Sequence, residues 1–565
     1  MNYAVSVPSG VALEELPTYV HLARAFAREG VEVNFTLMGD GNMHWATALA
    51  EQPGVRTYHV RHEHCALAMA MGYSIASGKV GVASVTCGPG LTQLSTALAT
   101  AAQARVPVVV FSGDTPINAS FYNQRIDQGP VVTATGAHHI ACTSMKRMLE
   151  FVREAFYVAR TERRPVVLSV PYDMQKQKLP APHDYVPSTD YVPDTGPVAP
   201  HPAYVEKAVD AIASARRVVV IAGRGVLRSG AQSQCEELAD LCGGMLATTL
   251  PERGMFDHHP FGIGIAGGFS RDIGKELFAQ ADLVVAVGAS LHHFTVDGGT
   301  LFPQARVLQI DAHPVGLKNG RKVADLFLEA DAKLGLGAVI AGLKERGIAP
   351  SDWRTPELAR RIAEEPADST EFEIEPATLD PREAVLALDR VIPKDWEIVS
   401  GSGHCSYFHA QMRGRRPEHF HTIREFGAIG NGLCYAIGVA VARPDSQVVL
   451  IDGDGGFMMH AQELETARRH GLKLLLCILN DGAFGSEIHK LRADGLDDSG
   501  AIFGRGDLGR IAEGFGLRGS VVTDVGQIEA LIEPFKAADV AELWDIHISD
   551  RVTSPTMRKA HPKKH

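Results

Sequence analysis

Two aspartates that follow apolar runs are the residues of this sequence best placed to do chemistry. Asp454 and Asp481 each come directly after a run typical of a buried strand. Because neighbouring parallel strands end at the same edge of a sheet, we expect the two carboxylates to lie close together. Carboxylate oxygens suit Mg²⁺, and glycines beside them let the backbone approach a phosphate closely. The glycines in question are Gly453, Gly455 and Gly456.

Three other side chains are candidates for proton transfer. Glu63 lies just before an apolar helical segment, Glu487 lies six residues after Asp481, and His404 falls at a predicted strand end in SGSGHCSYF. A carboxylate or an imidazole in such a position could serve as a general acid or base. The alternatives stay open, because acids are common in first helical turns and short Gly-Asp motifs often only end a strand.

The elements that must position these residues are short apolar strands alternating with longer helical patterns. This alternation is typical of parallel sheets covered on both faces, so we predict an α/β fold with three doubly wound parallel-sheet domains. The predicted strands lie at 80–86, 107–112, 217–222, 282–287, 307–311, 447–452 and 474–480.

Proline-rich segments set the predicted domain boundaries, because proline interrupts both helices and strand ladders. One such linker, 181–202, separates a first domain at 1–180 from a central domain at 203–346. A second linker, 347–381, precedes a third domain at 382–550, and the segment 551–565 is a basic C-terminal tail. The second linker contains one segment, from Leu358 to Glu365, that could form a helix.

Composition excludes several classes of protein. The 565 residues are 45% apolar and 21% charged, which is ordinary for a globular chain and predicts three to four domains. A net charge of −11 disfavours nucleic acid as a partner. The eight cysteines include no CxxC pair, and we find neither a leader nor a membrane-spanning segment, so we expect a cytoplasmic protein without a membrane partner.

Three segments resemble thiamine diphosphate (ThDP) enzymes of the acetohydroxyacid synthase, pyruvate decarboxylase and 2-hydroxyacyl-CoA lyase superfamily. They are VVLIDGDGGFMMHAQELETARRHGLKLLLCILNDGAFGSE, YHVRHEHCALAMAMGYSIASGKVGVASVTCGPG and REFGAIGNGLCYAIGVAVARPD. The resemblance implies a pyrimidine-binding, a central and a diphosphate-binding domain, in that order. It also implies that Asp454, Asp481 and the carbonyl of Ala483 hold Mg²⁺, although Asp481 departs from the usual Asn.

The same resemblance assigns roles at the other end of the cofactor. Glu63 would bond the pyrimidine ring and promote deprotonation of the thiazolium. Gly427 would offer its carbonyl to the aminopyrimidine, and Ile429 would lie beneath the thiazolium to keep the cofactor bent. Glu487 matches a catalytic glutamate of the pyruvate decarboxylases, where acetohydroxyacid synthases carry an apolar residue. His404 is a weaker candidate for the same proton transfer.

These features lead us to expect a 2-hydroxyacyl-CoA lyase that releases formyl-CoA and an aldehyde or ketone. The basic tail RVTSPTMRKAHPKKH could close over the phosphates of a CoA thioester, with a solvated terminus as the alternative. An acetolactate synthase-like carboligase or a 2-oxoacid decarboxylase is the second interpretation. A nucleotide-binding regulatory protein that keeps a ThDP-like shell is a third.

The resemblance further implies a homodimer as the minimum active species, and a homotetramer as the expected assembly, because related enzymes form each site from two subunits. In the central domain we expect at most an adenine nucleotide, ADP. Zinc is not expected. Histidines recur at His138-His139, at His292-His293 and in the RHEH run, but none pairs with a second cluster at ligand spacing, so a structural role is favoured.

Overall fold

The fold is taken from a computed structural model that describes residues 15–180, 185–313, 317–318 and 321–562. Contacts divide the chain into two compact units. The first unit comprises Met1–Asp194, Ile423–Asp445 and Met459–Leu474, and the second comprises Thr195–Thr422, Ser446–Met458 and Leu475–His565. Residues 181–184 of the predicted first linker and 563–565 of the tail lie outside the described residues.

The N-terminal part of the first unit is built on a six-stranded sheet. Strands β1 to β8 are Glu15–Pro17, Val33–Thr36, Arg56–His59, Gly81–Val85, Val108–Asp114, His138–Ala141, Val166–Pro171 and Lys178–Pro180. Helices α1 to α8 are Thr18–Arg28, Met43–Ala50, Glu63–Ser77, Pro89–Thr92, Ser95–Ala104, Gln128–Ala134, Met148–Glu162 and Tyr172–Gln175. The sheet order is β3-β2-β4-β5-β7-β6 and all its pairings are parallel, while β1 and β8 form a separate antiparallel pair.

The central part of the second unit repeats this plan. Strands β9 to β16 are Val218–Ala222, Met245–Thr248, Gly262–Ile265, Leu283–Val287, Arg306–Asp311, Leu317–Lys318, Arg321–Lys322 and Leu326–Glu329. Helices α9 to α14 are Pro202–Ser214, Arg224–Ser229, Gln232–Cys242, Asp272–Gln280, Ala332–Glu345 and Pro356–Glu364. Six of the strands form a parallel sheet in the order β11-β10-β9-β12-β13-β16.

The third sheet uses the C-terminal strands. Strands β17 to β22 are Glu397–Ser400, Phe420–His421, Val448–Gly453, Leu474–Asn480, Arg518–Val522 and Glu542–His547. Helices α15 to α23 are Pro381–Val391, Cys405–His409, Gly432–Ala442, Asp454–Phe457, Glu463–Arg469, Gly485–Asp494, Leu508–Gly514, Val525–Ala537 and Pro555–Ala560. The order is β18-β17-β19-β20-β22-β21. Each predicted strand is present, and the predicted α/β fold with three parallel-sheet domains is confirmed.

The strand sequences show why both faces of a sheet are covered. Along β9, Val218, Val220 and Ala222 pack into one apolar cluster, while Val219 and Ile221 pack into another. Successive side chains of a strand point to opposite faces, so an uninterrupted apolar run needs a core on each side. Such runs therefore predicted the doubly wound arrangement.

Two segments that we predicted to be linker or tail carry defined structure. Helix α14 lies in the 347–381 linker, where Thr355 caps it and Leu358 and Ile362 pack into the core of the central domain. Helix α23 lies in the basic tail, where the Arg558 guanidinium pairs with Asp368 at 2.8 Å. Among the described residues, no helix combines the length and the apolar character needed to cross a bilayer.

Glycines allow α3 and α17 to approach closely within the first unit. A Cβ placed on Gly438 would lie 2.1 Å from the carbonyl oxygen of Met69, and one placed on Gly72 would lie 2.5 Å from that of Tyr435. Real Cβ atoms do not approach a carbonyl oxygen this closely, so the two helices could not keep this separation with larger residues. This contact fixes α17 against the helix that begins at Glu63.

We predict that Gly438→Ala destabilises the protein, because the added methyl group forces α3 and α17 apart at a cost of about 1–3 kcal/mol. The apparent midpoint of urea unfolding measures this effect. The matched control is Gly337→Ala in α13, where a Cβ would meet no atom within 4 Å. There alanine should leave the midpoint unchanged or raise it, since it favours a helix over glycine by about 1 kcal/mol. Equal midpoints for the two variants would contradict the close contact.

Candidate active site

The ends of β19 and β20 bring Asp454 and Asp481 together, as their positions in the sequence predict. Asp454 opens the short helix α18, and its Oδ2 accepts the N–H of Gly482 at 2.9 Å. Asp481 follows β20 directly, and its Oδ1 accepts the N–H of Ala483 at 3.2 Å. The loop after β20 therefore holds both carboxyl groups through its backbone.

Burial makes this acidic pair electrostatically unusual. Burial and the neighbouring Asp481 raise the pKa of Asp454 to about 8, and burial raises the pKa of Asp481 as well. A third carboxyl group lies one position before the glycine turn: Asp452 is fully buried, and burial raises its pKa to about 7. Its Oδ1 accepts the N–H of Gly453, whereas its Oδ2 has no partner. Two charged carboxylates in contact need a cation, so this edge has the chemistry of a divalent-ion site.

The glycine turn before α18 is closed in by aromatic side chains. A Cβ on Gly455 would lie 2.8 Å from the Phe484 ring, so a larger residue does not fit there. The Phe484 and Phe503 rings meet edge to face at 5.3 Å, and both remain partly exposed. The carbonyl of Gly482 accepts the N–H groups of Phe503 and Gly504, which joins the loop after β20 to this second segment. Aromatic side chains thus border the acidic pair.

His404 lies beside the acidic pair and is held by the C-terminal segment. Its Nε2 accepts the backbone N–H of Ser554 at 3.0 Å, so the ring is neutral with its proton on Nδ1. A Cβ placed on Gly485 would lie 2.5 Å from Oδ2 of Asp481 and 3.4 Å from Nδ1 of His404. The Asp481 carboxylate and the His404 ring therefore lie on either side of this glycine. Burial lowers the pKa of His404 well below its usual value.

His489 is a neighbour of His404 that sequence reasoning missed. The two rings lie 4.5 Å apart, and burial lowers the pKa of His489 to about 4. Nδ1 of His489 is 2.9 Å from the hydroxyl of Thr553, while its Nε2 has no partner. Nothing in the local sequence marked this histidine, because its position depends on the fold that brings α20 to His404.

Glu487 lies in the first turn of α20. Its side chain is exposed and its carboxylate pairs with Lys490 at 3.2 Å, three residues further along the helix. Exposed pairs of this kind contribute only about 0–1 kcal/mol, so the carboxylate can leave Lys490 at little cost. Its role in proton transfer stays a prediction.

The other predicted site residues belong to the first unit. Glu63 is the first residue of α3, and a Cβ on Gly90 would lie 3.6 Å from its Oε1. Gly427 has a φ of +74°, in the left-handed region that favours glycine, and a Cβ there would meet no atom within 4 Å. Ile429 is half-buried two residues later. The open space beside Gly427 leaves room for a ligand, and so does the absence of a side chain on Gly90 beside Glu63.

The glycines of the GRG turn in the central domain are required for backbone packing. The N–H of Gly223 donates to Val287 and that of Gly225 donates to Gly288. A Cβ on Gly225 would lie 2.6 Å from the Cα of Gly288. These glycines therefore serve the packing of two backbones, and their two N–H groups are already used.

The chemistry of these residues suits Mg²⁺ and a diphosphate. The contact between two buried carboxyl groups, both with raised pKa values, is the arrangement that a divalent cation stabilises. Gly455 leaves no space for a side chain and keeps the turn after β19 narrow. The donor set of Asp454, Asp481 and Ala483 is composed of oxygen atoms, which Mg²⁺ prefers over softer ligands. The residues present fit the group.

Comparisons with known proteins give a consistent result for all three domains. The family described as thiamine pyrophosphate enzyme, N-terminal TPP binding domain, matches residues 18–131. The central domain of the same enzymes matches residues 205–339, and their C-terminal TPP binding domain matches residues 401–544. The first of these ranges contains Glu63, and the last contains the acidic pair.

Similar proteins extend over nearly the whole chain. A probable acetolactate synthase large subunit of Methanococcus aeolicus is 29% identical, covering 93% of this chain and 91% of its own length. A protein of the same description from Methanocaldococcus jannaschii is 28% identical, over 94% and 92%. A probable chloroplastic acetolactate synthase 2 of Oryza sativa subsp. japonica is 29% identical, over 93% and 82%.

We predict that metal-free Asp454→Asn is more stable than the metal-free native protein at pH 8, with the difference shrinking towards pH 4. A carboxyl group whose pKa is raised from 3.8 to about 8 on folding holds a proton that the unfolded chain has lost, so stability falls as the pH rises through this window. Thermal unfolding at several pH values measures the difference. A gap that widens towards acid would contradict the assignment.

The same variant tests the cation. Mg²⁺ at 100 times its dissociation constant should stabilise the native protein by about 2.7 kcal/mol, and it should stabilise Asp454→Asn much less. The control is Asp395→Asn, an exposed position outside the site, which should keep the full response. Equal stabilisation of all three proteins by Mg²⁺ would place the ion elsewhere.

Proposed function

We propose that this chain, which belongs to the superfamily of thiamine diphosphate-dependent enzymes, is a carboligase of the acetolactate synthase type. In this reaction a 2-oxo acid loses CO₂ and the remaining fragment is joined to a second carbonyl compound. The observation that carries the proposal is the similarity of nearly the whole chain to proteins named acetolactate synthase, and the acidic pair lies within the range matched by the C-terminal TPP binding domain. A 2-oxoacid decarboxylase would share the first half of this chemistry.

The relatives favour this carboligase over the 2-hydroxyacyl-CoA lyase that we expected from the sequence. Proteins named acetolactate synthase align with about nine-tenths of the chain. The described part of the tail also gives the lyase little support, because two of its cations are already paired. Arg558 pairs with Asp368, and Lys559 bonds Asp297 and the hydroxyl of Thr300. A CoA phosphate would have to displace these pairings before it could bind either cation.

Thiamine diphosphate, when bound, supplies a carbon nucleophile that also accepts the electrons released when a carbon–carbon bond breaks. Asp454, Asp481 and the carbonyl of Ala483 would hold Mg²⁺ and orient the diphosphate. Glu63 would hold a proton between its carboxyl group and the pyrimidine ring. The carbonyl of Gly427 and the side chain of Ile429 would orient the rings.

Proton transfer at the substrate would fall to Glu487, with His404 as the second candidate. Glu487 is exposed and only weakly held by Lys490, so its carboxylate can approach a substrate oxygen. His404 accepts the Ser554 N–H with Nε2, which leaves its Nδ1 proton as the group it could donate. Burial lowers the pKa of His404, so the ring would stay neutral and would donate a hydrogen bond from Nδ1 to a substrate oxygen rather than release the proton.

The expected assembly is a homodimer at least, with a homotetramer as the larger form. Support comes from apolar side chains on the surface of the first unit, where Phe121 is 80% and Ile117 is 59% exposed. Large exposed apolar side chains that cluster on one loop are typical of surfaces that bind another protein chain. An adenine nucleotide in the central domain also stays a prediction, and it would need groups other than the N–H donors of Gly223 and Gly225.

The assay that tests the proposed reaction supplies two substrate sets to the same preparation. With thiamine diphosphate and Mg²⁺ present, we expect pyruvate to be consumed and a carbon–carbon ligation product to form. Formyl-CoA with a ketone should remain unchanged. Consumption of formyl-CoA alone would overturn the carboligase in favour of the lyase. Release of free aldehyde from pyruvate, without ligation, would identify a decarboxylase.

We predict that Glu63→Gln lowers turnover by about 10²-fold or more, the contribution typical of a positioned acid–base group, while cofactor binding persists. Steady-state kinetics with pyruvate and titration of the cofactor measure the two effects. The matched control is Glu154→Gln, an exposed glutamate of the same unit, which should behave as the native protein. Unchanged turnover in Glu63→Gln would refute the assigned role. If the native protein binds the cofactor and turns over neither substrate set, a regulatory protein with a ThDP-like shell is the better description.

We predict that Glu487→Gln lowers kcat by about 10²-fold with a smaller change in KM, because the amide cannot transfer a proton. Glu513→Gln, another exposed glutamate of the second unit, is the matched control and should keep the native kcat. A native kcat in Glu487→Gln, together with a loss in His404→Asn, would transfer the role to His404.

A further inference from the structure

A cluster of nitrogen and sulphur donors lies in the first unit. His62 caps the N-terminus of α3, Cys65 follows in its first turn, and His460 comes from the Met459–Leu474 segment of the same unit. One ligand atom from each residue lies within 4.8 Å of the other two. Sequence analysis did not predict this cluster, because the RHEH run pairs with no second cluster at ligand spacing along the chain and His460 lies in a distant segment.

His460 is oriented as a metal ligand would be. Its Nδ1 donates to the carbonyl oxygen of Gly430 at 2.8 Å, so the proton is on Nδ1 and the lone pair of Nε2 is available. Its ring also stacks on that of His64 at 4.9 Å, and His64 is in turn held by the amide oxygen of Asn431 at 2.6 Å. A carbonyl that fixes one ring nitrogen is the outer support usual for a metal-bound histidine.

The donor types select the kind of ion. Cys65 is completely buried, and a thiolate with two imidazoles favours Zn²⁺ over Mg²⁺ or Ca²⁺, which prefer oxygen. Zinc binds nitrogen at about 2.1 Å and sulphur at about 2.3 Å, and its tetrahedral geometry then places two ligand atoms of one ion about 3.6 Å apart. The ligand atoms, which lie within 4.8 Å of one another, would therefore move together by roughly 1 Å when the ion binds.

Zinc binding through Nδ1 of His62 would cost one hydrogen bond. Its Nδ1 now accepts the N–H of His64 at 3.1 Å, so this bond must be given up if Nδ1 becomes the ligand. A neutral capping bond contributes about 1 kcal/mol, which is small beside the affinity of zinc for three protein ligands. The loss of the cap is therefore no obstacle to binding.

We propose that His62, Cys65 and His460 bind Zn²⁺, with a fourth position open to water. The ion would join the start of α3, which carries Glu63, to the segment that carries His460. This site uses different donors from the acidic pair and is independent of the proposed carboligase activity.

Cobalt is a suitable probe, because Co²⁺ occupies zinc sites and a cobalt–thiolate bond absorbs in the near ultraviolet. The full-length protein, reduced and stripped of metal by a chelator, is saturated with Mg²⁺ and then titrated with Co²⁺. We expect one equivalent of Co²⁺ to give the thiolate band and Zn²⁺ to abolish it. The acidic pair cannot produce this band, since it has no sulphur, so a failed carboligase assay would leave this result unaffected.

Variants assign the ligands. Cys65→Ser should remove the band, and His460→Asn should weaken Co²⁺ binding by at least about tenfold, the loss typical even of an outer-shell partner. Cys142→Ser, another buried thiol of the same unit, is the matched control and should keep both band and affinity.

Absence of the band in the native protein, or its persistence in Cys65→Ser, would overturn the site. If circular dichroism shows that Cys65→Ser does not fold, the test rests on His460→Asn. Native cobalt affinity in His460→Asn would overturn the proposed zinc site.

Discussion

The carboxyl groups of Asp454 and Asp481 meet in a largely buried position where β19 and β20 end. Burial raises the pKa of both groups, so their simultaneous charging is costly without a neighbouring cation, and the loop after β20 prevents them from separating by donating one backbone N–H to each. Such a fixed pair costs free energy without a cation, and binding of a divalent ion recovers that free energy. The ion in turn is what allows a diphosphate, itself an anion, to approach two aspartates.

In each unit, other elements position side chains that could contact a diphosphate cofactor. In the second unit, Phe484 and Phe503 border the acidic pair, and His404 and His489 lie beside it on the other side of Gly485. In the first unit, the close packing of α3 against α17 fixes the helix that begins with Glu63. Glycine is essential in both units, because backbone atoms approach to distances that a side chain would prevent.

Hydrophobic patterning was enough to predict the three sheets. A short, uninterrupted apolar run is typical of a strand in a parallel sheet that is covered on both faces. The acidic pair was predictable for a related reason: strand ends meet at one edge whatever the details of the loops. Contacts between distant segments were not predictable. The docking of Arg558 on Asp368 and the approach of His460 to Cys65 depend on tertiary packing, and no local pattern encodes them. A helix from Leu358 to Glu365 was predicted and α14 spans Pro356–Glu364, but the packing of Leu358 and Ile362 on the central domain depends on tertiary contacts that the local pattern does not encode.

The central claim is that the acidic pair binds thiamine diphosphate through Mg²⁺. Calorimetric titration of the purified protein with thiamine diphosphate, in the presence and absence of Mg²⁺, tests it most directly. The account predicts saturable heat with Mg²⁺ and little or none after the metal has been removed by a chelator. No uptake of the cofactor with Mg²⁺ present, or equal affinity without it, would contradict the account.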